Sequence, residues 1–205
     1  LRITVTSDNP DLIPQPEVQY TSPNATGSLK LTPVANESGT AEVVVTIEDG
    51  GLDGDLNTAS DNATLNRTVF VAVNAVNDLP TLDALSDLNI DEDAAEQVLD
   101  LTGVSAGPGE VQPLRITATS ANPGLIPDPT VIYTDGASTG TLKLTPVSDQ
   151  SGTAEVVVTI EDGGLDGDLD TAGDNDSLNR TVFVAVSAVN DLPTLDALSD
   201  LNIDE

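Results

Sequence analysis

The feature that most constrains this chain is a repeat. Shifted by 113 residues, residues 1–92 lie over residues 114–205 without a gap, and the 92 aligned pairs differ at only 19 positions. The stretch Gly50–Asn62, GGLDGDLNTASDN, returns as Gly163–Asn175, GGLDGDLDTAGDN. A period this long gives each copy enough residues for a hydrophobic core of its own. The pattern therefore predicts tandem domains rather than the small stacked units of a solenoid.

The phase of the repeat sets the expected boundaries. Residues 81–193 make one complete unit, residues 1–80 a partial repeat lacking its first two strands, and residues 194–205 the first-strand segment of a following repeat. The chain is expected to be a window on a longer repetitive polypeptide, with a permuted two-domain protein as the alternative.

Within a unit the periodicity is that of strands. Leu1, Ile3 and Val5 alternate with Arg2, Thr4 and Thr6, as a half-buried strand requires. Ala41, Val43, Val45 and Ile47 form an inward row with Glu42 and Thr46 outside, and β-branched residues suit that pleated surface. Thr68–Val73 is apolar or small on both faces, which predicts a central place in its sheet. In the complete unit strands are predicted over 84–90, 98–103, 113–120, 130–134, 140–145, 154–160 and 181–187. Prolines and Asn/Gly turns separate them, and no ten-residue stretch keeps a helical period with helix-forming residues. The expected fold class is all-β, a tandem Greek-key β-sandwich of about seven strands per repeat. Its core is predicted from Val, Leu and Ile, with Phe183 and Tyr133 as the aromatic members of the complete unit.

Charge narrows the partners. There are 35 Asp plus Glu against six Lys plus Arg, a net charge of -29, and no His. Such a surface repels nucleic acid and anionic membranes and attracts cations. No apolar run is long enough to span a bilayer. Cysteine and methionine are absent, so the fold neither uses disulfides nor risks thiol oxidation, which suits an extracellular or cell-surface location. A unit this negative and this poor in aromatics is expected to be marginal in stability without bound cations.

Three acidic segments recur, and all carry oxygen ligands. The first is Asp91, Glu92 and Asp93, after the unit's first strand. The second is Glu48 and Asp49 running into Asp53, Asp55, Asn57 and Asp61; its copy is Glu161 and Asp162 with Asp166, Asp168, Asp170 and Asp174. The third is the linker pair Asn77 and Asp78, repeated as Asn190 and Asp191. Hard oxygen donors without His or Cys point to calcium rather than zinc or copper. The alternate spacing Asp166-x-Asp168-x-Asp170 lets three side chains of one loop converge. An EF-hand is excluded, because its obligatory Gly and Glu positions fall on Thr171 and Ser177. The first strand and the strong strand are expected to bring their acidic ends to one pole, where a divalent ion would neutralise them. The alternative is that these are simply solvated polar loops of a very acidic protein.

The segments VNDLPTLDAL, NIDEDA, LTPVANESGTAEVVVTIEDGG and TVFVAVNAVNDLP resemble the tandem cadherin-like and Ig-like repeats of giant bacterial surface and secreted proteins. The resemblance covers essentially the whole chain. It implies adhesins, extenders or matrix components, many of which bind calcium. By position, it assigns junction-ion roles to Glu92 or Asp91, to Glu161 and Asp162, to Asn190 and Asp191 before Pro193, and to Asp196. The linker VNDLP lacks the extra upstream Asp of animal cadherins, and the long Gly/Asp loop is a further departure.

Catalysis is the class the residue inventory argues against: there is no His and no Cys, and the only lysines, Lys30 and Lys143, occupy equivalent strand positions. The expectation is a non-enzymatic extracellular structural repeat. Neighbouring identical repeats would assemble linearly into a calcium-stiffened rod or filament, for surface adhesion or matrix assembly. The alternative is a calcium-dependent module that binds a glycan or a receptor. Tyr20 and Tyr133 are its only tyrosines for sugar stacking, and their strand positions favour core packing. Six Asn-x-Ser/Thr sequons, at Asn24, Asn36, Asn62, Asn66, Asn175 and Asn179, complete the surface features.

Overall fold

The computed structural model describes residues 1–58, 60–171 and 173–203. Ala59 and Ala172, in the two Gly/Asp loops, and Asp204 and Glu205, the end of the expected segment 194–205, lie outside the described residues. The regular structure is entirely β. In chain order the strands are β1 (Arg2–Ser7), β2 (Glu17–Gln19), β3 (Ser28–Lys30), β4 (Gly39–Glu48), β5 (Thr64–Val73), β6 (Leu88–Asp91), β7 (Gln97–Leu101), β8 (Leu114–Ser120), β9 (Thr130–Ile132), β10 (Gly140–Leu144), β11 (Gly152–Asp162) and β12 (Ser177–Ser187). Among the described residues no helix is long and apolar enough to cross a membrane.

The strands belong to two compact units. Unit 1 comprises Leu1–Asp78, Gly107–Gln112 and Gly163–Asn175; unit 2 comprises Leu79–Ala106, Pro113–Asp162 and Asp176–Glu205.

Unit 2 has a four-stranded sheet in the order β6-β12-β11-β8 and a three-stranded sheet in the order β7-β10-β9. β11 runs antiparallel to both β8 and β12, whereas β6 lies parallel to β12. The alternation read from the sequence explains how the sheets meet. Ala154, Val156, Val158 and Ile160 of β11 and Val182, Val184 and Val186 of β12 face Leu101, Leu142 and Leu144 of the other sheet in one buried cluster. Leu82, Val104, Leu125 and Ile126 join it from the connecting segments, and Tyr133 packs against it as expected. The seven strands predicted for this unit all appear at their expected positions.

Phe183 departs from expectation. It is 55% exposed, while its neighbours Val182 and Val184 are fully buried. Side chains alternate along a strand, so the valine row takes the inward parity and the ring is left on the outer face. Phe70, its copy, is exposed as well.

Unit 1 carries the corresponding strands with a smaller core. Its sheets are β1-β4-β5 and β2-β3, and its buried cluster is Leu12, Ile13, Ala41 and Val43. Residues fully enclosed in unit 2 are open here: Val69 is 43% exposed where its copy Val182 is at 0%, and Leu1 is 53% exposed where Leu114 is at 7%. The difference follows from residues 79–106. In unit 2 they supply Leu82, Leu85, Leu88, Ile90, Leu99 and Leu101 to the core, and unit 1 has no counterpart of them in its sheets. The central position expected for residues 68–73 is corrected for the same reason. β12 lies between β6 and β11, but β5 is an edge strand.

Candidate functional site

The Gly/Asp loops connect β4 to β5 and β11 to β12, and the same hydrogen bonds build both. In the first, Asp49 Oδ1 accepts the N–H of Gly51 at 3.1 Å and of Ala63 at 2.9 Å. Asp53 accepts the Asp55 N–H at 2.8 Å on Oδ1 and the Thr58 hydroxyl at 2.6 Å on Oδ2. Asp55 Oδ1 accepts both the N–H and the side-chain amide of Asn57 at 2.9 Å, and Asp61 Oδ2 accepts the Leu52 N–H at 2.8 Å. In the second loop Asp166 accepts from Asp168 N–H and Thr171 Oγ1, Asp168 from Asp170 N–H, and Asp174 from Leu165 N–H. These are Asx turns, in which a short carboxylate side chain stands in for a backbone carbonyl.

Glycine at the loop entrance allows this. Gly51 sits at φ +60, and a Cβ there would lie 2.4 Å from the Asp61 carboxylate carbon; Gly164 stands in the same relation to Asp174, at 2.7 Å. Only a residue without a side chain lets that carboxylate reach the turn.

The donors favour the charged carboxylates. The Asn62 amide, and then Arg2, hold the Glu48 carboxyl below its ordinary range. The Ala63 and Gly51 N–H groups lower Asp49, and the Thr58 hydroxyl with the Asp55 N–H lowers Asp53. Glu161 is engaged by Arg115, whose Nη2 lies 2.8 Å from Oε2. Asp162 is completely buried, and its Oδ1 accepts the Asp176 N–H at 2.9 Å.

The other predicted residues lie elsewhere. Asp91 ends β6, and Glu92 is buried with Oε1 accepting the Val189 N–H at 2.8 Å, while its own N–H donates to Ser187 O at 3.0 Å. Asp93 is exposed, as are Asn190 and Asp191, whose only printed link is Asn190 Nδ2 to the Asp191 carbonyl at 3.2 Å. In unit 1, Asn77 Oδ1 accepts from Gln112 Nε2 at 2.7 Å, and the Asp78 N–H donates to the Glu110 carboxylate.

The ladder register decides which of these groups meet. In unit 2, Glu161 pairs with Ser177 at the start of β12, whereas Asp91 pairs with Ser187 at its end. The Asp91–Glu92 and Glu161–Asp162 groups therefore occupy opposite ends of the sheet, not one pole. In unit 1, Glu48 pairs with Thr64 at the start of β5, and Asn77 follows the end of that strand. Among the described residues no group of three or more His, Cys, Asp or Glu side chains is arranged to hold a metal ion.

Two residues that sequence reading treated only as sequons belong to these loops. Asn62 Nδ2 donates to Glu48 Oε1 and Leu56 O, and Asn175 Nδ2 donates to Asp168 O. In both copies the amide oxygen is buried and receives no hydrogen bond. Their recurrence after the last loop aspartate was the available signal.

No protein-family model matches the chain, and no curated protein matches it significantly. Several solved structures are similar to it. One is the S-layer protein SbsC, domains 4 and 5, at 20% identity and a TM-score of 0.36, covering 89% of this chain and 70% of that one. Another is an endo-fucoidan hydrolase of glycoside hydrolase family 107, at 20% identity and a TM-score of 0.35, covering 92% of this chain and 24% of that one. A third is zebrafish RET cadherin-like domains 1 to 4, at 13% identity and a TM-score of 0.34, covering 92% of this chain and 42% of that one. S-layer and cadherin-like domains are thus among the structures this chain is similar to.

The presence of the hydrolase corrects the expectation that the chain is not an enzyme. The lack of His and Cys was a weak ground for that exclusion, because glycoside hydrolysis runs on paired carboxylates. No activity is carried over from any of these structures.

Proposed function

We propose that this chain is a structural part of an extracellular or cell-surface assembly. It is built of 113-residue cadherin-like or Ig-like Greek-key repeats that join in line into an extended rod, with calcium stiffening the Gly/Asp loops. The observation that supports the calcium reading is the repetition of one oxygen-rich loop in both copies. Each has a buried amide oxygen without a hydrogen bond, Asn62 Oδ1 or Asn175 Oδ1. An unpaired buried acceptor is costly, and a hard cation would satisfy it. Asn62 with Asp53 and Asp55, and Asn175 with Asp166 and Asp168, are the residues that would hold the ion.

The test is thermal unfolding of the 205-residue chain in excess calcium and in excess chelator, with the bound stoichiometry measured by calorimetry. An ion present at about 100 times its dissociation constant stabilises by about 2.7 kcal/mol, so a clear upward shift of Tm with more than one ion bound is expected. An unchanged Tm would reduce the loops to turns held by their own hydrogen bonds.

A further inference from the structure

In unit 2, β6 closes one edge of the four-stranded sheet by pairing in parallel with β12. Leu88 stands opposite Val184, Asn89 opposite Ala185, Ile90 opposite Val186 and Asp91 opposite Ser187. The Asp87 carboxylate anchors the start of the pairing by accepting the Phe183 N–H at 2.9 Å. Ahead of the strand, Leu82 is buried in the core and its carbonyl accepts from Arg180 Nε at 2.7 Å.

Each half of this arrangement recurs in the molecule, uncoupled. β5 differs from the matching residues 177–186 of β12 only by Thr64 for Ser177, and it is an edge strand with its far side unpaired among the described residues. Residues 81–92, TLDALSDLNIDE, recur unchanged as residues 194–205. In that second occurrence Leu195, Leu198, Leu201 and Ile203 are all exposed, and no described residue there belongs to a strand. An unpaired edge beside an open core is a template for an added strand.

We infer that the β5 edge of one molecule receives the 194–203 segment of a second copy. Leu201, Asn202 and Ile203 would stand opposite Val71, Ala72 and Val73, in the register β6 takes on β12. The addition would cover Val69 and bury the tail leucines. Because the donor follows β12 and the acceptor is β5, the contact is head to tail and propagates into a linear filament. The register is fixed, since a one-residue slip would turn Leu201 and Ile203 away from the core. This inference deepens the in-line assembly of the proposed function and rests on that part of it, not on calcium.

The test uses the full chain and the absence of native cysteine. Ala72→Cys and Asn202→Cys lie at exposed positions, so neither substitution disturbs the fold. Mixed and oxidised, the two variants should form disulfide-linked dimers at least about tenfold more efficiently than Thr68→Cys mixed with Asn202→Cys. That control is displaced by four residues, about 13 Å along the strand, beyond the reach of a disulfide. In parallel, the unmodified chain should form concentration-dependent oligomers by sedimentation, and Leu201→Asp combined with Ile203→Asp should abolish them. Cross-linking that is equal at both registers would overturn the inference. So would a chain that stays monomeric up to about 1 mM, the weak end of measurable association. Both readings are taken with and without chelator, so failure of calcium binding and failure of strand addition give different results.

Discussion

Arg115 donates from Nε at 3.1 Å and from Nη2 at 2.8 Å to a single carboxylate oxygen of Glu161, across the β8–β11 ladder. Arg2 and Glu48 form the same pair in unit 1. The glutamate that the cadherin-type resemblance assigns to an ion is thus engaged by a guanidinium from the adjacent strand. Glu161→Gln keeps the shape of the side chain and removes its charge. Both partners are partly exposed, so the expected cost is under about 1 kcal/mol, read as a small shift of the urea midpoint. The calcium-dependent Tm shift should survive the substitution, because the loop residues and not Glu161 are proposed to hold the ion. Loss of that shift in Glu161→Gln would move the ion to the strand end.

The strands and their inward rows were legible because alternation is local. Val156, Val158 and Ile160 announce their face within five residues of sequence. Phe183 was misplaced because ring size was weighted above parity; the flanking Val182 and Val184 already marked the inward side. The separation of Asp91 from Glu161 was not legible. It depends on β6 running parallel and β11 antiparallel to β12, and strand direction leaves no mark in residue periodicity. Nor could spacing foretell the loop aspartates' partners, since Asp53 and Asp55 are spent on turn N–H groups two residues ahead.

Acid should loosen the Gly/Asp loop of unit 1 in a defined direction. Asp49 is held below its ordinary value of 3.8 by the N–H groups of Ala63 and Gly51. Above the unfolded-state value both states are ionised, and the stabilisation is fully present. As pH falls toward and through the lowered folded value, the unfolded chain takes up its proton first and the contribution disappears. Asp49→Ala should therefore be less stable than the parent at pH 7, with the gap closing below pH 3.8. A gap independent of pH would mean that the charge of Asp49 plays no part.

The turn glycines separate two costs. Gly51 and Gly54 both have positive φ, at +60 and +73, but a Cβ on Gly51 meets the Asp61 carboxylate whereas one on Gly54 meets nothing within 4 Å. Left-handed backbone alone costs a residue with a Cβ about 1–2 kcal/mol. Gly54→Ala should show that cost, and Gly51→Ala should exceed it because Asp61 must also leave the Leu52 N–H. Equal losses in chemical denaturation would show that Asp61 swings aside freely and does not hold the turn.

Identical side chains should have unequal worth in the two units. Leu142 of β10 is fully buried between the two sheets of unit 2. Its copy Leu29 of β3 is only partly buried against the small cluster of Leu12, Ile13, Ala41 and Val43. Truncating an enclosed leucine removes its transfer free energy and leaves a cavity, so Leu142→Ala should cost about 2–5 kcal/mol. Leu29→Ala opens onto solvent, which fills the space, and should fall below that range. Addition of a strand to β5 would close the core of unit 1, so the cost of Leu29→Ala should rise with protein concentration while that of Leu142→Ala stays fixed. The measurement is a pair of denaturation series at low and high concentration. Costs that agree at both concentrations would place the open core of unit 1 outside any assembly.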